Sequence, residues 1–129
     1  MFGEVGTFYI YLIYGLHYCV NVVTHQSGLG EAVLIRALQP LEGISLMQGR
    51  RHRQEMKELC SGPAKLVQAL GITAQVNGQP ATAPPLYFIK PLETQLASAV
   101  VTSTRVGITK ATDQLLRFYL KDNTFVSKV

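Results

Sequence analysis

The chain has 129 residues, 47% of them hydrophobic and only 16% charged. That balance excludes a disordered tail or linker, and the length fits one domain spanning 1–129. Lys and Arg outnumber Asp and Glu by 12 to 8, a net charge of +4, which suits a polyanionic partner without requiring one. The only cysteines are Cys19 and Cys60, with no CxxC pair. A disulfide-dense scaffold is therefore excluded, and reduced, buried thiols are expected. His17, Cys19, His25 and Cys60 fit no recognised zinc-ligand spacing, so no metal site is expected.

No Asp, Glu, Lys or Arg occurs between Val5 and Gly30. A signal peptide needs a basic start, and the only charge before this stretch is Glu4. A membrane helix needs about 20 apolar residues in a row. Here Gly15, His17 and Asn21 interrupt the run, and Tyr9, Tyr11, Tyr14 and Tyr18 are spread through it. No membrane association is expected.

The same stretch reads as a β-hairpin. Thr7–Ile13 and Tyr18–Thr24 are rich in β-branched and aromatic residues, and Gly15 between them suits a tight turn. Strand alternation puts Tyr9, Tyr11 and Ile13 on one face and Ile10 and Leu12 on the other. A third strand is predicted over Glu31–Leu38, with Ala32, Leu34, Arg36 and Leu38 sharing a face. Short connections make the three an antiparallel meander.

Pro40–Gly43 ends this run, and a basic helix is predicted over Ile44–Lys57. A second helix follows, with Ser61 as N-cap, Pro63 in the first turn, Leu66, Val67 and Leu70 as an apolar stripe, and Gly71 as the stop. Val76–Pro85 reads as a loop. Leu86–Ile89, Thr102–Ile108 and Leu116–Lys121 read as short strands. The fold class is therefore α+β: a curved, mainly antiparallel and partly open barrel-like sheet, with a protruding hairpin and flanking helices.

Positive charge surrounds the hairpin in sequence: residues 1–30 carry only Glu4, while the rest of the chain is net basic. That layout suits an apolar probe flanked by phosphate contacts. Tyr14, at the predicted hairpin tip beside Gly15, either tucks back onto the sheet or acts as a wedge between base pairs. Tyr9 and Tyr11 are core tyrosines or a wall on which an extruded base stacks. Asn21, in an apolar strand, must find partners, either its backbone neighbours or a ligand whose unwanted amino group it rejects. Arg36 either snorkels to solvent or orders a water or phosphate. Glu31 is five residues from Arg36, so a regular strand points the two to opposite faces and no carboxylate–arginine pair is expected. Lys65 in the first turn of its helix is a solvated lysine or part of a phosphate seat.

These pieces resemble, in order, the alkyladenine (3-methyladenine) or methylpurine-DNA glycosylase family. The matching stretches are YIYLIYG (Tyr9–Gly15), CVN (Cys19–Asn21), VLIRAL with PLEG (Val33–Leu38, Pro40–Gly43), LCSGPAKL with QAL (Leu59–Leu66, Gln68–Leu70), RVGI (Arg105–Ile108), and RFYLK with FVS (Arg117–Lys121, Phe125–Ser127). Each is weak alone; six in register over nearly the whole chain are specific.

The resemblance implies a monomeric base-excision enzyme in the cytoplasm of a bacterium or the nucleus of a eukaryote. It would act on double-stranded DNA carrying a damaged purine, with neither metal nor cofactor. The family's substrates are 3-methyladenine, 7-methylguanine, hypoxanthine and ethenoadenine. By resemblance Tyr14, with Gly15, intercalates; Tyr9 and Tyr11 belong to the base pocket; and Asn21 clashes with the guanine amino group. Arg36 and the carbonyl of Val106 hold the nucleophilic water, and Leu34 lines the same area. Lys65, Ser61 and Arg105 contact the DNA. One departure stands out. Family members carry their general-base glutamate in a segment upstream of the hairpin, which has no counterpart here, and neither Glu4 nor Glu31 matches it. The expectation is a fragment, a gene model begun at an internal methionine, or a decayed homologue. The alternative to an enzyme is a catalytically dead module that binds DNA.

Overall fold

The computed structural model describes residues 4–13, 17–24, 31–90, 99–104 and 117–126. The chain divides into two compact units, Met1–Ile89 and Lys90–Val129. All strand pairs among the described residues are antiparallel, and two α-helices accompany them, so the α+β class stands. The strands fall into three small sheets, with no closed barrel among the described residues.

In the first unit, β1 (Phe8–Ile13) pairs with β2 (His17–Val23), and β2 pairs with β3 (Ala32–Leu34). Alternation decides what each face does. Phe8 and Ile10 of β1 and Val20 of β2 are buried in the main core, with Leu59, Leu66, Val67, Ala69, Ile72 and Val76. Tyr9 and Tyr11 take the opposite face. Leu12 shares the core-side parity but stays exposed, as does its cross-strand partner Tyr18.

The outer edge of β1 is not left bare. Residues 77–81 run beside it: the Ile10 amide donates to Asn77 Oδ1 at 2.8 Å, the Phe8 amide to the Gln79 carbonyl at 2.9 Å, and the Gly78 amide to the Phe8 carbonyl at 2.8 Å. Backbone groups that would otherwise invite another strand are thereby satisfied.

The third strand is shorter than predicted, three residues in place of Glu31–Leu38. The ladder to β2 goes one step further, with the Ile35 amide donating to the Val20 carbonyl at 3.1 Å. The chain then turns to another partner, the Leu38 amide donating to the Cys60 carbonyl at 3.0 Å. The basic helix α1 is also shorter, Ile44–Arg51 rather than Ile44–Lys57. His52 adopts the left-handed conformation, φ 54°, which ends the helix; Met56–Glu58 forms a separate 3-10 turn.

Helix α2 spans Pro63–Leu70. Pro63 opens it and Gly71 closes it in the left-handed region, φ 66°, its amide donating to the Gln68 and Val67 carbonyls. Ser61 is not the N-cap. Gly62 takes that position without a side-chain cap, and Ser61 Oγ instead lies 3.5 Å from Lys65 Nζ. The predicted 76–85 loop contains β4 (Thr82–Ala83), which pairs with β5 (Leu86–Tyr87) across a cis Pro84–Pro85 bond. The predicted Leu86–Ile89 strand thus keeps its first two residues only.

In the second unit, β6 (Val100–Ser103) pairs with β7 (Arg117–Leu120); β6 begins two residues before the predicted Thr102–Ile108, and residues 105–108 and Leu116 of the two predicted strands lie outside the described residues. Val101 lies opposite Tyr119, and the Arg117 guanidinium sits 4.4 Å from the Tyr119 ring centroid, a cation–π contact. No helix among the described residues is long and apolar enough to cross a membrane.

Candidate functional site

The pairing register gathers the candidate residues on one sheet face. Tyr9 lies directly across from Asn21, and Asn21 directly across from Leu34. One step along β1 and β2, Tyr11 lies across from Cys19. The Ile35–Val20 hydrogen bond continues the contact with β2 past β3, and the Arg36 guanidinium acts electrostatically on the Cys19 thiol. The result is one row across three strands, Tyr9–Asn21–Leu34, and beside it the Tyr11–Cys19 pair with the Arg36 guanidinium acting on its thiol. Five residues singled out in the sequence (Tyr9, Tyr11, Asn21, Leu34 and Arg36) meet there.

The geometry is that of an aromatic wall with polar neighbours. The Tyr9 and Tyr11 rings stack, with centroids 5.3 Å apart and planes 28° from parallel. Such a pair holds both rings in one orientation and presents a π-surface. Asn21 is 5% exposed, and its Nδ2 donates to the Tyr9 carbonyl at 3.4 Å. Burial holds the carboxamide in place even though the bond is long.

Ionisation is suppressed beside this wall. Burial pushes the Tyr11 phenol above its ordinary value, and nearby Cys19 and Tyr9 add to the shift. Burial likewise pushes the Cys19 thiol up, with the Arg36 guanidinium opposing. Both groups are therefore neutral near pH 7, and Arg36 brings a fixed positive charge to the rim. The sequence marks Cys19 as a buried thiol and as part of the CVN motif, without a role in the base pocket. Its position two residues from Asn21, on the same strand face, was the available signal for a place in this site.

Lys65 and Ser61 lie apart from these residues, at the start of α2, where the Lys65 stem folds over Gly62. Tyr14, Gly15, Arg105 and Val106 lie outside the described residues. A concavity of about 540 Å³ occurs elsewhere, where the end of α2 meets the β4–β5 turn. Its lining, which includes Gly71, Thr73, Gln75 and Pro85, has no ionisable group. Among the described residues no group of three or more His, Cys, Asp and Glu is placed to hold a metal ion.

The family model for methylpurine-DNA glycosylase matches residues 1–124. The chain belongs to the methylpurine-DNA glycosylase family. Its relatives agree. A protein of Methanoculleus marisnigri, provisionally named a 3-methyladenine DNA glycosylase, is 53% identical over 99% of this chain and 68% of its own length. Similarly named proteins of Francisella tularensis (47% identical, 99% and 67% covered) and Rhodopseudomonas palustris (49% identical, 99% and 61% covered) match as well. The chain thus spans about two thirds of the length of these curated relatives. Methylpurine-DNA glycosylases act on DNA as hydrolases, and this chain is a DNA glycosylase by that membership.

Proposed function

We propose that the chain supplies the base pocket of a base-excision enzyme that takes an alkylated or deaminated purine out of duplex DNA. The substrates in view are 3-methyladenine, 7-methylguanine, hypoxanthine and ethenoadenine. The single observation that supports this most is the Tyr9–Tyr11 stack beside Asn21 and Arg36 on one sheet face.

In this reading Tyr14, with Gly15, fills the gap left in the duplex, and the extruded base stacks on Tyr11 with Tyr9 behind it. Leu34 closes the side of the pocket. Asn21 excludes bases carrying the guanine amino group. Because its amide is buried and tied to the Tyr9 backbone, it cannot swing aside without losing that bond. Lys65, Ser61 and Arg105 hold backbone phosphates.

The chemistry is a hydrolysis. The C1′–N bond breaks and its electrons leave with the base, while the sugar acquires oxocarbenium character. A water oxygen bonds to C1′ and gives its proton to a general base. Arg36 and the carbonyl of Val106 orient that water. Neither Glu4 nor Glu31 is assigned as the base. A neutral phenol and thiol keep the pocket free of competing negative charge, so the cationic sugar is met by water rather than by a protein nucleophile.

The test is release of base from duplexes containing each lesion, followed by alkaline cleavage at the abasic site. It is run on this chain alone and on the chain joined to the unmatched third of a relative. Release by either supports the enzyme. Salt-dependent binding that Tyr14→Ala weakens, with no release by either, favours the module that binds DNA without catalysis.

A further inference from the structure

Helix α1 ends in two arginines that both donate hydrogen bonds to the protein itself. Arg51 reaches three acceptors: its Nε donates to the Leu59 carbonyl at 3.1 Å, Nη2 to the Glu58 carbonyl at 3.1 Å, and Nη1 to Gln68 Oε1 at 2.8 Å. Arg50 Nη1 donates to the Ala69 carbonyl near the end of α2 at 3.0 Å. The two side chains dock α1 onto α2 and fix the backbone of Glu58 and Leu59.

That backbone leads in two directions. Leu59 and the next residue, Cys60, are buried in the core, and the Cys60 carbonyl accepts from the Leu38 amide. Arg36 lies between this anchor and the Ile35–Val20 bond, so both ends of a four-residue stretch are held. In the other direction Cys60 runs directly into Ser61, Gly62 and the first turn of α2, which carries Lys65.

We infer that Arg51 is a positioning residue: through Leu59 and Cys60 it holds the Leu38 anchor, and so sets where Arg36 stands against the Tyr11–Cys19 pair. Its functional weight rests on the base-pocket reading above; the mechanical claim does not. The arrangement needs a planar fork. A lysine at position 51 keeps the charge but cannot meet a carbonyl pair and a carboxamide on one rigid plane.

Amide hydrogen exchange on the intact chain tests this directly. In Arg51→Lys the Leu38 amide exchanges faster by about tenfold or more, as expected for a local opening, while the Ile35 and Val23 amides keep their wild-type rates. Gln68→Met, which removes one acceptor, gives a smaller rise at the same amide, and serves also if Arg51→Lys folds poorly. Arg53→Ala, which removes an exposed 3.6 Å ion pair with Glu58 and an exposed 3.2 Å bond to the His52 carbonyl, leaves Leu38 unchanged. The Cys19 thiol, followed by its carbon-13 β resonance, titrates at higher pH in Arg51→Lys because Arg36 no longer opposes its burial. Uniform acceleration of all three amides, or an unmoved Leu38 amide, overturns the inference. Where excision is established, Arg51→Lys lowers kcat and spares duplex Kd; the reverse makes Arg51 a phosphate contact and also overturns it. Failure of excision with the Leu38 result intact removes the base-pocket reading and leaves the mechanical one.

Discussion

Asn21 and Tyr9 face each other across the β1–β2 ladder, and the Asn21 carboxamide donates to the Tyr9 carbonyl at 3.4 Å. The bond ties the one buried polar side chain among the described residues to the backbone beneath the aromatic wall. On the proposed function, selectivity and wall geometry are linked through this single pair.

Asn21→Ala should separate the two consequences. Loss of a long hydrogen bond and its replacement by a small cavity lowers stability by about 1 kcal/mol, read from urea unfolding. Release of unmodified guanine should rise in the excision assay, because the amide no longer occupies the space of the exocyclic amino group. Unchanged guanine release would remove the exclusion role.

Tyr11→Ala should weaken binding to a lesion duplex by about 1–3 kcal/mol, the usual worth of a base–aromatic stack. Tyr11→Phe should bind like the parent, because the face, not the hydroxyl, does the stacking. A double-mutant cycle with Tyr9→Ala should give a coupling of about 0.5–1.5 kcal/mol, reflecting the stacked pair.

Stability should fall on the alkaline side. Cys19 and Cys60 have folded pKa values raised above their ordinary 9.0, and Tyr11 above its ordinary 10.0, in each case chiefly by burial. A group with a raised folded pKa contributes its full stability below the unfolded value. That contribution is lost as pH rises through the folded one. Thermal melts should therefore hold steady to about pH 9 and decline above it. Cys19→Ala with Cys60→Ala should flatten the first part of that decline.

Gly71→Ala should destabilise the first unit by about 1–2 kcal/mol, measured by urea unfolding. Position 71 has φ 66°, and a Cβ there would meet Arg50 Cζ and Nε at 3.2 Å. Because the second effect runs through Arg50, combining Gly71→Ala with Arg50→Ala should cost less than the two separately.

Local chemistry in the sequence determined a good deal. Period-2 alternation put Tyr9 and Tyr11 on one face and Ile10 on the other. The apolar stripe with Pro63 and Gly71 marked α2 at both ends, and the ordered motifs marked the family. These signals are legible because strand parity, proline at a helix start and glycine at its end are set by residues a few positions apart.

Only tertiary structure decided the rest. The third strand stops at Leu34 because Leu38 finds the Cys60 carbonyl, a partner more than twenty residues away. Helix α1 stops at Arg51, where that arginine's donors are taken by residues 58, 59 and 68. Cys19 comes to face Tyr11 because the β1–β2 register sets it there, within electrostatic reach of Arg36. Composition and spacing carry no record of such long-range partners. A backbone carbonyl looks the same at every position until the fold brings a donor to it.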